Sequence, residues 1–340
     1  MLEIFILSFI ITFLYTPYGY FLEKGSNLSS YSLQAIYGLI ILSILALTLN
    51  FIVSLNVYIN SCIILFSILI ILKFKKIYFT KSYLIFCIIS ALILFLLLTT
   101  SNVYRPDAGL YHLPYISILN NEKIIIGLSN LHFRFGHTSI IQYTSAITNN
   151  FIFKENGINF PSAIIVSSLI INFVSNLNDQ IKIKKFDTYF FITLSFLIFI
   201  CYKANRFSDY GNDAPAHLLV FLLISEIIKN YKNFTAEKIS NYFLLSIFIV
   251  MNKIILSVAV FFPLVLLLFQ KNKIRFLNTY NISIFLFIIF WCIKNVLVSG
   301  CILYPVTLTC IKDLRWSNIT ETKKISLENE IWAKGWPDFR

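Results

Sequence analysis

Long apolar runs alternate with short polar stretches along almost the whole chain. A helix needs about 20 largely apolar residues to cross the hydrocarbon of a bilayer. Runs at 2–22, 33–55, 57–72, 83–99, 161–177, 188–202, 214–228 and 282–298 meet or approach that length. The run 242–270 is longer, but Met251-Asn252-Lys253 interrupts it. It reads as two short helices with Asn252 and Lys253 at their tip, since a helix of eleven residues reaches only about 16 Å. The first run has no charged leader and no small-residue cleavage site, so it reads as a helix and not as a signal peptide. The pattern predicts an all-α, polytopic integral membrane protein of about ten transmembrane helices.

The polar stretches fall into two kinds. Some are short and rich in lysine: Lys73, Lys75, Lys76 and Lys81; Lys182, Lys184 and Lys185; Lys229, Lys232 and Lys238; Lys271, Lys273 and Arg275. Such loops stay cytoplasmic. The stretches 100–160 and 203–213 are poor in lysine and fall on the other side, together with the N-terminus and a tail at 301–340. The first of these is too apolar for a disordered loop. Leu113, Tyr115, Ile116, Ile118, Leu119 and the run 124–126 predict amphipathic helices lying at the interface, with breaks at Gly127 and Asn130. Residues 1–300 thus form one polytopic domain. The tail ends without an obvious cap, as a fragment of a longer chain would.

Composition sharpens this picture. Only 13% of the 340 residues are charged and 58% are hydrophobic, with a mean hydropathy of +0.77; a soluble domain carries about 25% charged residues. The net charge of +12 sits in the short basic loops, so it sets orientation and does not point to nucleic acid. The abundance of Ile, Asn, Lys and Phe fits an AT-rich genome and carries no function by itself. Of six cysteines, Cys62, Cys87, Cys201 and Cys292 lie in or beside apolar runs and behave as small hydrophobes. Cys301 and Cys310 would pair if the tail faces an oxidising compartment. Trp316, Trp332 and Trp336 suit a membrane interface, and Lys294, late in the last run, is expected to snorkel outward.

Three histidines lie in the first stretch and the fourth, His217, closes a polar island that runs from Lys203 to His217; the two islands share a local pattern. One reads Asp107-Ala108-Gly109-Leu110-Tyr111-His112, the other Asp213-Ala214-Pro215-Ala216-His217. The bland reading is that each Asp caps a helix, with Pro215 in a first turn. Capping leaves the clustering of histidines unexplained. A carboxylate at a membrane surface can take a proton from an acceptor hydroxyl. A departing lipid phosphate then needs Arg, Lys, protonated His or a divalent cation, Mg or Mn. Asp107 and Asp213 are the candidate catalytic residues. Arg105, Tyr111, His112, His132, Arg134, Arg206, His217 and Lys253 are the candidate substrate and phosphate ligands. His132 and Arg134 alternate, so both reach one pocket only from an extended segment. The histidines have no metal-site spacing.

An Asp in a long outer loop, amphipathic helices after it and a second acidic residue in a later outer loop together resemble the GT-C glycosyltransferases. The stretch PDAGLYHLP…GLSNLHFRFG also resembles bacterial inner-membrane proteins associated with them. The resemblance covers roughly 83–310. It implies a polyprenyl-phosphate sugar donor, a site on the periplasmic face, Asp107 as the first-loop catalytic aspartate, and Asp213 or Asp209 as the second acidic position. Competing classes are a transporter or flippase of a lipid-linked or sugar substrate, a polysaccharide polymerase or ligase, and a non-catalytic scaffold. A transporter places ionisable residues in broken helices at mid-bilayer. Here the apolar runs are nearly free of charge.

Overall fold

A computed structural model describes residues 1–100, 107–137, 139–204, 210–211, 213–231, 233–269 and 279–335. The described residues contain no β-strand, only an isolated bridge between Cys301 and Cys310. The long helices are α1 (Leu2–Tyr15), α2 (Leu28–Asn50), α3 (Val57–Lys73), α5 (Lys81–Thr100), α8 (Phe160–Lys182), α9 (Thr188–Tyr202), α10 (Asp213–Lys229), α11 (Ala236–Asn252), α13 (Thr279–Ser299) and α14 (Ile319–Lys334). Shorter ones are α4 (Lys75–Tyr78), α6 (Leu113–Asn121), α7 (Ile141–Ile147) and α12 (Phe261–Phe269).

Among the described residues, five helices are long and apolar enough to cross a membrane: Leu2–Phe21, Leu28–Asn50, Lys81–Thr99, Lys154–Lys182 and Tyr280–Ser299. Val57–Lys73, Thr188–Tyr202 and Ile254–Leu268 are apolar but shorter. The structure therefore supports a helical membrane protein. Outward faces are apolar. Leu84, Ile85, Ile88, Leu92 and Leu96 of α5 are exposed, as are Phe285, Leu286, Ile289 and Phe290 of α13. This reverses the arrangement of a surface helix in water.

Several boundaries differ from the hydropathy pattern for local reasons. The first run bends into a 3-10 turn, Thr16–Phe21, with Pro17 at its start. α2 begins five residues before the apolar run, because the Asn27 side chain accepts a hydrogen bond from the Ser30 amide. α8 runs past the apolar stretch to Lys182, ending in the exposed Asp179–Lys182 ion pair. α8 lies at the centre, with 83% of its apolar window buried against 39% for α5 and for α13. Small polar groups link the buried faces. Thr12, Ser90 and Ser167 form a chain of hydroxyls across α1, α5 and α8, and Asn172 donates to Ser29 and Ser32 of α2.

The first island is a packed layer of short helices. Asn60 donates to the carbonyls of Leu55, Ala146 and Asn149, and Asn120 to those of Leu55 and Ala146. Asn50 donates to the Glu122 carbonyl. Gly127, at φ +72°, sets its amide on the Leu297 carbonyl. The tail folds back on this layer. Cys301 and Cys310 are disulfide-bonded, and the Trp316 indole donates to the Val296 carbonyl. Lys294 does not snorkel: it is fully buried, its ammonium 3.6 Å from the centre of the Trp291 ring. Its place in the middle of the packed α13 face leaves no route to solvent.

Candidate functional site

Asp107 opens a continuous helical segment, wound as a π-helix over Ala108–His112 and then as α6. Its side chain makes no capping bond. Tyr111 lies one turn on. The 3-10 helix Phe133–His137 carries Arg134 and His137. Asp213 sits in the first turn of α10. Lys253 lies where α11 stops and the 3-10 helix Ile254–Val260 begins, with extended backbone at φ −151° and ψ 105°. The interrupted run 242–270 is therefore a broken helical hairpin with its tip at Asn252 and Lys253.

These elements surround one cavity of about 560 Å³, lined by Asp107, Tyr111, Arg134, Asp213 and Lys253 among others. The two islands thus meet, although 106 positions (213 − 107) separate their aspartates along the chain. The Lys253 ammonium lies 2.7 Å from an Asp213 carboxylate oxygen. The Arg134 guanidinium lies 5.5 Å from the centre of the Tyr111 ring and 5.0 Å from that of Phe133. Met251, Ile254, Ile255, Trp291 and Val306 make another part of the wall apolar, and Ile255 is exposed on its outer side.

The tip is fixed by Asn252, which is buried. Its side-chain oxygen accepts from the Ser139 hydroxyl at 2.6 Å and the Ile141 amide at 3.1 Å, and its nitrogen donates to the Phe248 carbonyl at 2.8 Å. The Ile140 amide donates to the Met251 carbonyl. The first island is thereby bolted to the last two residues of α11, immediately before the helix break.

The histidines divide. His137 lines the cavity, edge-on to Tyr304 at 5.1 Å, and its Nε2 is buried without a hydrogen bond among the described residues. His112 lies behind the wall, its Nδ1 3.1 Å from the Gln142 amide nitrogen. The Gln142 oxygen accepts from the Ser139 amide, so the nitrogen is the end facing His112. Nδ1 must then accept, which is the neutral Nε2–H tautomer. Neither His132 nor His217 lines the cavity. His132 Nδ1 accepts from the Arg134 amide, because the segment is helical and not extended. His217 is exposed and donates to the Asp213 carbonyl within its own helix. Arg105, Arg206 and Asp209 lie outside the described residues, as do Lys232, Trp336 and the basic loop at 271–275.

Electrostatics follow from this packing. Burial, the Asp107 charge and a hydrogen bond to Asp107 push the Tyr111 hydroxyl up to about 12, against the opposing pull of Arg134. It keeps its proton and donates. Burial lowers His112 and His137 to about 4, with Arg134 adding to the effect. Both are neutral at pH 7, so Arg134 and Lys253 carry the positive charge of the site.

A folded-state histidine below its unfolded value of 6.5 leaves stability complete above that pH. The unfolded chain gains protons first as pH falls, and the loss runs from 6.5 down to about 4. For His112, which is 5% exposed, the ceiling is about 3 kcal/mol. Melting in detergent should therefore drop between pH 7 and pH 4.5, and His112→Gln should flatten that dependence.

The sequence pattern placed Asn252 at a hairpin tip without giving it a role in the site, and did not single out Trp291, Asn295 or Asn329; all four line the cavity, as does Tyr304. One signal was present. Gly136 sits where a Cβ would lie 2.5 Å from the Tyr304 ring, so a small residue is required. Gly136→Ala should cost about 1–3 kcal/mol by overpacking, read as a lowered melting temperature.

A helical membrane protein with a charged, half-apolar cavity where its loops converge is the class that fold and site define. Residues 1–336 match the family model described as a domain of unknown function, DUF8201, and the chain belongs to that family. No curated protein and no solved structure matches it.

Proposed function

We propose that the protein is a membrane glycosyltransferase that moves a sugar from a polyprenyl-phosphate carrier to an acceptor hydroxyl, with Asp107 as the general base. The observation that carries this reading is the single cavity shared by Asp107, Arg134 and the Asp213–Lys253 pair, with an apolar wall beside them. Such a cavity suits a ligand that is anionic at its head and hydrocarbon behind it.

In the reaction, a carboxylate oxygen of Asp107 takes the acceptor proton as the acceptor oxygen bonds to the anomeric carbon. The bond from that carbon to the phosphate oxygen breaks, and the lipid phosphate leaves with the electron pair. Arg134 and Lys253 stabilise the charge that develops on it. Asp213 holds the Lys253 ammonium in place, and the Tyr111 hydroxyl orients the Asp107 carboxylate.

A divalent cation does not fit this arrangement. Asp107 and Asp213 are the carboxylates among the described lining residues, and Lys253 occupies the second. Mg²⁺ and Mn²⁺ want oxygen ligands, carboxylates above all, so no step is assigned to one. The Cys301–Cys310 disulfide supports placing this end of the molecule in an oxidising compartment, on the periplasmic side of a bacterial inner membrane.

Two features favour a second reading, movement of the lipid-linked or sugar substrate across the membrane: the helix break at Asn252 and Lys253, and the buried Lys294 within a helix long enough to span. The test incubates membranes containing the protein with radiolabelled polyprenyl-phosphate hexoses. New glycosidic product, absent from membranes without the protein, supports transfer. Flux of label with no new glycosidic bond supports transport and sinks the enzyme reading.

A further inference from the structure

A second cavity, of about 470 Å³, lies along the helix that carries Asp107 and Tyr111. Ile116, Ser117 and Asn120 of α6 line it, whereas Asp107 and Tyr111 line the first cavity. Asn149, Glu155 and Tyr210 contribute to the rest of the wall. Its chemistry differs from that of the first cavity: among the described residues, no Lys, Arg or His lines it.

Each of these amide nitrogens already donates to the protein. Asn120 donates to the carbonyls of Leu55 at 2.7 Å and Ala146 at 2.9 Å. Asn149 donates to the Asn120 oxygen at 3.0 Å, and Asn121, also in the wall, to the Ser117 carbonyl at 2.8 Å. The side-chain oxygens of Asn121 and Asn149 accept no hydrogen bond among the described residues, and the Glu155 carboxylate has neither an ion pair nor a hydrogen bond there. Among the described residues the wall therefore presents acceptor oxygens and one negative charge, beside the Ser117 and Tyr210 hydroxyls, which both donate and accept.

A ligand for such a wall brings many O–H or N–H donors and no negative charge. We infer that this cavity binds a neutral or amine-bearing saccharide chain. It rests on the transfer reading in one respect: there, the saccharide is the acceptor glycan, held beside the helix whose first residue is the base. The binding itself can be measured without that assumption.

The experiment uses the full chain in lipid nanodiscs, which avoids sugar-headed detergents, and reads binding of three probes by saturation-transfer NMR: maltotriose, a glucosamine trimer and trigalacturonate. Expected is binding of the first two and none of the acidic third. Glu155→Lys should weaken the glucosamine trimer at least tenfold and create binding of trigalacturonate. Tyr210→Ala should weaken maltotriose at least fivefold. Glu155 and Tyr210 are both exposed, so neither change disturbs the packed interior. Equal binding of all three probes, or affinities unmoved by Glu155→Lys, would overturn the assignment. Asp107→Asn separates the two claims, because it should leave probe binding intact. Saccharide binding without any transfer activity defeats the reaction and keeps the cavity. Transfer that is indifferent to both Glu155→Lys and Tyr210→Ala keeps the reaction and defeats the acceptor role of the cavity.

Discussion

Asp107→Asn is expected to lower sugar transfer at least 100-fold while leaving expression and melting unchanged. General-base contributions run at about 10²–10⁴, and Asn keeps the shape of Asp but cannot take the proton. Stability should not move, because Asp107 is exposed and makes no capping bond with its side chain. Asp107→Glu should retain part of the activity. Asp213→Asn should behave differently. Its carboxylate is already held by Lys253, so its loss should appear mainly as a raised KM for the donor, by about tenfold, roughly 1.4 kcal/mol. Rates in membranes, corrected for protein amount by immunoblot, check both. A wild-type rate for Asp107→Asn removes the proposed base.

Asn252→Leu is expected to be the most damaging substitution to the fold of the site. The two side chains have similar volume, so no cavity opens. What is lost is polar satisfaction: the Ser139 hydroxyl and the Ile141 amide lose their acceptor, and the Phe248 carbonyl loses a donor beyond the helix ladder. Each buried group left unpaired costs about 1–3 kcal/mol, so the variant should lose several. The damage is directional as well. Asn252 joins the first island to the helix break, and Lys253 is the next residue, so the Lys253–Asp213 pair should loosen. Thermal melting should fall, and limited proteolysis should open the tip near residue 253. A variant that melts like wild type would mean that the tip is not anchored this way.

The helical class, the broken hairpin and its tip residues were legible because apolar periodicity and basic loops act over whole segments. The shared cavity was legible only as a prediction about Asp107 and Asp213, since nothing local in either island states its partner. Hydropathy could not show that Lys294 is buried, because snorkelling depends on which face of α13 meets the bundle. Asparagine was the largest omission. Its abundance was set down to genome composition, yet Asn27, Asn56 and Asn318 cap helices, and Asn50, Asn60, Asn120 and Asn252 stitch the island layer together. A single sequence does not separate an amide that faces lipid headgroups from one that satisfies three buried carbonyls. His132 and His217 failed to reach the cavity for a similar reason. A 3-10 turn and a helix face, neither visible in spacing alone, aim them at backbone atoms instead.

The central claim is that two distant turns and a helix tip close on one cavity in the membrane-embedded protein. It is tested by placing cysteines at Asp107 and Lys253 in a chain whose Cys62, Cys87, Cys201 and Cys292 are replaced by alanine, then treating intact membranes with a short bifunctional thiol reagent. An intramolecular cross-link between the two positions, absent from either single-cysteine chain, is the predicted result. Efficient labelling of both cysteines by a monofunctional reagent with no cross-link between them would contradict it.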